Sequence, residues 1–194
     1  MTNTLAVLFS GGGRTAINLL DKIECGNLDA KIVLAIASKP NITGIARLQN
    51  RGIKVYIAEN TNKNSKEGDE RVRYLLNDTQ PDIICLCGYL RLLSLESWMQ
   101  SRVLNIHPSL LPKYGGKGMY GMRVHQAVLD NNEIESGCTV HYVDEKYDHG
   151  PHIIQRSCPV LHSDTAQDLA DRVFNIECDA YPEAIRAVGS KLRV

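Results

Sequence analysis

Over the first hundred residues, short apolar runs alternate with longer amphipathic stretches. Leu5-Ala6-Val7-Leu8-Phe9 is apolar at every position, which predicts a strand covered on both faces. Ser10-Gly11-Gly12-Gly13 reads as a turn. Ala16, Ile17, Leu19, Leu20 and Ile23 then recur at helical spacing, predicting a helix from Arg14 to about Glu24 that Cys25-Gly26-Asn27 ends. The alternation continues with a strand over Lys31–Ala37, a helix over Ile42–Asn50 and a strand over Ile53–Ile57. A polar loop over Thr61–Gly68, a helix over Asp69–Asn77 and a strand over Ile83–Cys87 complete this half. Strands apolar throughout, each followed by a helix, predict a doubly wound α/β fold with a mostly parallel, Rossmann-like sheet.

The texture changes after residue 100. Val103–Ile106 predicts a short strand, and His107-Pro108-Ser109-Leu110-Leu111-Pro112 cannot be helical across its prolines. Gly115, Gly116, Gly118 and Gly121 mark a mobile loop, and a helix starts over Val124–Leu129. Cys138–Val143 alternates as a half-buried strand with Ile153–Val160 as its partner, so antiparallel strands join the sheet in the C-terminal half. Thr165–Val188 predicts a long final helix, bent before Pro182.

Composition narrows the class. Lys+Arg and Asp+Glu are 22 each, so the basic excess usual in nucleic-acid wrapping is missing. The apolar run Ile32–Ala37 is too short to cross a bilayer, and the first residues carry no basic region of a secretion signal. Six irregularly spaced cysteines are expected to be reduced core thiols in a cytoplasmic protein. His141 and His152 with Cys138 and Cys158 lack tight zinc-ligand spacing, so no metal is expected.

Two segments carry chemistry. Gly11-x-Gly13-x-x-Ala16 follows a strand and opens a helix, a turn whose backbone N–H groups and helix N-terminus hold a phosphate. Thr15 adds a hydroxyl and Arg14 a positive charge. A tight turn without a ligand is the alternative. The second predicted strand ends in Ala37-Ser38-Lys39, with no carboxylate for the ribose of NAD, so a phosphate ester on a smaller substrate fits better. Asn105 and His107, two apart on an extended chain, project the same way. An amide donor and an imidazole are what acyl transfer needs, and Asp148 is a candidate carboxylate to raise the histidine pKa. A capping Asn, a packed His and a turn Asp remain the alternative.

The stretch Leu104-Asn105-Ile106-His107-Pro108-Ser109-Leu110-Leu111-Pro112-Lys113-Tyr114 resembles the signature of the folate-dependent formyltransferases. Phe9–Gly13, Gly88–Ser94, Thr139–Val143 and Glu177–Pro182 match as well, and the resemblance runs from about residue 5 to 188. Within the family the chain is similar to the short members whose acceptor is 5'-phosphoribosylglycinamide (GAR). The resemblance implies a single domain over 1–194, with a phosphate-binding half (1–100) and a folate and catalytic half (101–194). It implies formyl transfer from 10-formyltetrahydrofolate, as co-substrate, to the GAR amine, with no metal and a monomer or homodimer. Asn105, His107 and Asp148 would be catalytic. Gly11, Gly12, Gly13, Arg14 and Thr15 would take the GAR phosphate, and Glu177 its ribose. Leu90, Arg91, Leu92, Leu93, Asn105, Val143 and Lys66 would face the folate.

Departures from the family pattern are Arg14 in place of a small polar residue, a longer Gly115–Gly121 loop, and His149 where glycine is common. A formyltransferase for an amino-sugar nucleotide or methionyl-tRNA, and a formyltetrahydrofolate hydrolase, are the alternative activities; from other classes, a non-catalytic phosphate-ligand binding domain and an NADP oxidoreductase, with Lys39 at the 2′-phosphate, stay open.

Overall fold

The computed structural model describes residues 2–62 and 65–192. Lys63 and Asn64, in the expected polar loop, lie outside the described residues. The chain forms two compact units: residues up to Leu104 together with those from Ile185 on, and Asn105–Ala184.

The first unit contains β1 (Asn3–Phe9), α1 (Arg14–Glu24), β2 (Ala30–Ala37), α2 (Thr43–Gln49), β3 (Val55–Ile57), α3 (Glu67–Thr79) and β4 (Ile83–Leu86). A 3₁₀ turn over Ser97–Met99, absent from the sequence pattern, precedes β5 (Val103–His107). Strand order here is β3-β2-β1-β4-β5. β1 pairs in parallel with β2 and β4, and β2 with β3. Leu5 to Phe9 are fully buried, so this central strand has no solvent face, as its unbroken apolar run requires. Because β2 and β4 flank β1, the strand order reverses there. Doubly wound sheets take ligands at the carboxyl ends of the strands at such a point, where the Ser10–Gly13 turn and the Gly88–Ser94 loop begin.

Elements match the sequence pattern to within a few residues. α3 starts at Glu67 rather than Asp69, taking in Gly68, whose absent Cβ would lie 2.6 Å from the Ala58 carbonyl oxygen. That close approach of helix to loop is open only to glycine.

The second unit holds the end of β5, α4 (Met122–Asp130), β6 (Glu135–Tyr142), β7 (His152–Pro159) and α5 (Ala166–Lys191), whose last residues belong to the first unit. Strand order is β5-β6-β7, and β6 and β7 are antiparallel, from Glu135 opposite Pro159 to His141 opposite His152. The sheet is therefore mixed, with its antiparallel strands in the C-terminal half, as the alternation in the sequence predicts. α5 stays helical through Pro182; Tyr181, Ala184 and Ile185 around it are fully buried. Among the described residues no helix is long and apolar enough to cross a membrane.

Candidate active site

β5 extends Asn105 and His107 to one side of the strand, as period-two geometry requires. Asp148 reaches them from the β6–β7 connection, where it adopts φ +53. The three side chains meet in the second unit. Asn105 Nδ2 donates to Asp148 Oδ1 at 3.2 Å, and His107 Nδ1 lies 3.4 Å from Asp148 Oδ2. The same oxygen accepts the Gly116 N–H at 2.9 Å, so the long glycine loop starts anchored to the carboxylate. His107 is 4% exposed, and its Nε2 lies 2.8 Å from the Tyr114 carbonyl oxygen. A carbonyl only accepts, so Nε2 carries the hydrogen. A proton added at Nδ1 then faces a carboxylate.

A fourth group, His141 on β6, joins them, and its sequence spacing points to neither a metal nor this site. It is 1% exposed and donates Nδ1–H to the Tyr142 carbonyl at 2.8 Å. Its Nε2 is therefore bare when the ring is neutral, and it accepts from Asn105 Nδ2 at 3.1 Å. Both Asn105 amide hydrogens are thus engaged, one by His141 and one by Asp148, which fixes the orientation of the amide.

Burial sets the electrostatics. The expectation that Asp148 raises the His107 pKa holds for its own contribution but not for the sum. Loss of hydration pushes His107 below the ordinary histidine value and outweighs the upward pull of Asp148 and the Tyr114 carbonyl, while nearby His141 pushes it down further. For Asp148, burial acts to raise the pKa, but the neighbouring His141 ring, the charge of His107 and the Gly116 N–H together hold it below the usual carboxylate value. The site thus pairs a permanent carboxylate with an imidazole that gives up its proton easily. His149, the departure beside Asp148, bonds Asp144 Oδ2 through Nδ1 at 2.6 Å within the same loop.

The first unit holds the other expected residues. Gly13 caps α1 in the left-handed region at φ +69, and an added Cβ would lie 3.1 Å from Gly44 Cα. α1 has no side-chain cap and no acidic residue in its first turn, so its leading N–H groups are suited to an anion. Arg14 is exposed at the first helical position and Thr15 half-buried. Arg47 on α2, which the sequence pattern did not single out, donates Nη1–H to the Gly12 carbonyl at 2.9 Å and brings a second guanidinium to the turn.

Ser10 Oγ accepts from the Leu90 N–H at 3.0 Å and from Ser38 Oγ at 2.7 Å, tying the turn to the loop after β4. On that loop Leu90 and Leu92 are 45% and 42% exposed, a surface suited to a flat ring, while Leu93 is buried. Arg91 donates to Tyr89 Oη and the Ala58 carbonyl and lies 3.2 Å from Asp69 Oδ1, so it braces the loop. Lys66 is exposed at the N-terminal boundary of α3. In the second unit, Val143 follows β6 half-buried, and Glu177 is buried on α5. Glu177 adds to the burial that pushes the Cys138 thiol up to about 12. No group of three or more His, Cys, Asp or Glu among the described residues is placed to hold a metal ion.

The fold is that of a known class. The Formyl transferase family model matches residues 3–185, and the chain belongs to that family. The chain is 37% identical to a phosphoribosylglycinamide formyltransferase of Brucella melitensis of known structure, with a TM-score of 0.84 over 96% of this chain and 95% of that one. It is 38% identical over 188 residues to the chloroplastic phosphoribosylglycinamide formyltransferase of Vigna unguiculata and 35% identical to that of Arabidopsis thaliana. It covers 60% and 64% of the lengths of these two plant relatives.

Proposed function

We propose that the chain transfers a formyl group from 10-formyltetrahydrofolate to the amine of GAR, a step of purine biosynthesis. The observation that carries this reading is the meeting of Asn105, His107 and Asp148 within 3.4 Å in a formyl transferase fold. The folate co-substrate supplies an activated formyl group, so the residues need no nucleophile of their own. They orient the amine, stabilise the developing oxyanion and move a proton.

Asn105 Nδ2 is the donor for the oxyanion. In the resting site both its hydrogens are engaged, and one bond, to His141 or Asp148, is exchanged for the substrate oxygen. One well-placed donor of this kind lowers the barrier by roughly 3–4 kcal/mol. The attacking amine becomes cationic and must lose a proton. His107 handles that proton at the nitrogen facing Asp148, whose anion stabilises the imidazolium, and the proton passes on to N10 of the folate as the carbon–N10 bond breaks and tetrahydrofolate leaves. Holding the reactants in line contributes up to roughly 7–11 kcal/mol in favourable cases. The Gly11–Gly13 turn with Arg14 and Thr15 takes the GAR phosphate, Glu177 the ribose hydroxyls, and the Leu90–Leu93 loop with Val143 the pterin. Lys66, exposed at the start of α3, is the candidate for the folate tail.

The test is formyl transfer from 10-formyltetrahydrofolate to GAR, with an amino-sugar nucleotide, methionyl-tRNA and water as competing acceptors. GAR is expected to be formylated, and His107→Ala to lower kcat by several orders of magnitude while remaining folded. Turnover on another acceptor alone refutes the reading.

A further inference from the structure

The segment after β5 folds back on His107, and its hold on the imidazole passes through Tyr114. Tyr114 sits at φ +56, a left-handed conformation uncommon for an aromatic residue. From there its carbonyl meets His107 Nε2 at 2.8 Å. Ser109 Oγ donates to the Lys113 carbonyl at 2.6 Å and tightens the same turn. Against Leu110–Tyr114 opens a cleft of about 380 Å³, with Val128 and residues 133–136 completing its lining, so the turn is not backed by close packing there. Glu133 spans this gap. Its Oε1 accepts from Lys113 Nζ at 2.8 Å and from Tyr114 Oη at 2.9 Å.

Glu133 is itself anchored. Its N–H donates to the Val128 carbonyl at the end of α4, and the next carbonyl, of Ile134, accepts the Val160 N–H. Thr139 and Gln155 hold the start of the turn at Leu111, and Ser109 holds the Lys113 carbonyl; the Glu133 carboxylate joins the side chains of Lys113 and Tyr114 at its far end to a fixed helix end.

We propose that Glu133 is a positioning residue for His107: by gripping Lys113 and Tyr114 it keeps the Tyr114 carbonyl on Nε2 and so fixes which ring nitrogen faces Asp148. This rests on reading His107 as the proton-handling group of formyl transfer. A neutral imidazole has one N–H, and an acceptor at Nε2 keeps it there, leaving Nδ1 open toward Asp148. With the turn released, Tyr114 relaxes out of the left-handed region and its carbonyl leaves. The hydrogen then moves to Nδ1, opposite the carboxylate, and the nitrogen meant to take a proton is already occupied. Asp148, His141 and His125 are the titratable groups acting on His107; Lys113 and Tyr114 are those on Glu133.

The experiment is nitrogen-15 NMR of the full chain labelled at histidine, reading the His107 tautomer and its titration without substrate, alongside kcat. In the parent protein His107 is expected as the Nε2–H tautomer at neutral pH. In Glu133→Ala the Nδ1–H form appears and the His107 midpoint moves down, because the Tyr114 carbonyl no longer supports the proton. kcat then falls by roughly a factor of ten, the cost of one hydrogen bond to a charged group, with KM for GAR unchanged. Glu133→Gln keeps an acceptor and restores most of the parent behaviour. Tyr114→Phe removes only the hydroxyl grip and moves the tautomer the same way, which keeps the test open if Glu133→Ala does not fold. An unchanged tautomer and midpoint in Glu133→Ala, or in Tyr114→Phe if only that variant folds, overturns the proposal. Because the spectra need no substrate, failure of formyl transfer by the parent protein refutes the functional reading separately.

Discussion

Replacing Asp148 with Asn removes the carboxylate charge. The amide keeps the shape of the side chain and an oxygen for the Gly116 N–H, so the β6–β7 connection retains its anchor. What is lost is the anion 3.4 Å from His107 Nδ1, together with the acceptor for Asn105 Nδ2, whose other hydrogen stays on His141. At an effective dielectric of about 20, unit charges at that separation attract by about 5 kcal/mol. Hydration lost by the two buried groups offsets part of this, and removing one partner of a buried ion pair costs about 3–5 kcal/mol. If the imidazolium forms in the rate-limiting step, kcat falls about 10²- to 10⁴-fold. Burial already depresses the His107 pKa, and without the upward pull of Asp148 it drops further. The limb of the kcat profile set by His107 therefore moves to lower pH. Steady-state formyl transfer across the pH range, with circular dichroism to confirm folding, measures both effects. A folded Asp148→Asn protein with kcat within about twofold of the parent and an unmoved limb removes the carboxylate from the mechanism.

Two further outcomes are expected. His125 on α4 is 5% exposed with no hydrogen-bond partner at Nδ1, and burial, with His107 nearby, lowers its pKa to about 4. Its contribution to stability is therefore full above the unfolded value of about 6.5 and is lost as pH falls toward about 4, on the order of 3 kcal/mol. Urea unfolding at about pH 8 and about pH 4.5 should show a smaller acid loss in His125→Gln; an equal loss contradicts the assignment. Arg14→Ser should raise KM for GAR roughly tenfold at low salt, and less at high salt, by removing a charge-assisted contact to phosphate. An unchanged KM excludes Arg14 from the phosphate site.

Much of this protein is written in local order. Leu5–Phe9 is apolar at every position, and only a strand covered on both faces buries all five, so the parallel half of the sheet follows from the pattern. Gly13 is required by its left-handed conformation, which makes the strand-turn-helix readable from three glycines. Asn105 and His107 share a side because strands repeat every two residues. Asp148 lies over forty residues away, and spacing alone says nothing about whether it meets them. That meeting depends on the β6–β7 hairpin and the left-handed turn at its end.

Tertiary structure alone decided three matters. It brought His141 onto the Asn105 amide, because which groups face each other across adjacent strands is set by register rather than by residue type. It placed Glu133 against Lys113 and Tyr114, a contact about twenty residues apart with no sequence signature. It also set the net direction of the His107 shift. Charge identity in a sequence gives the pull of Asp148, but the loss of hydration that outweighs it exists only once the chain has closed around the ring.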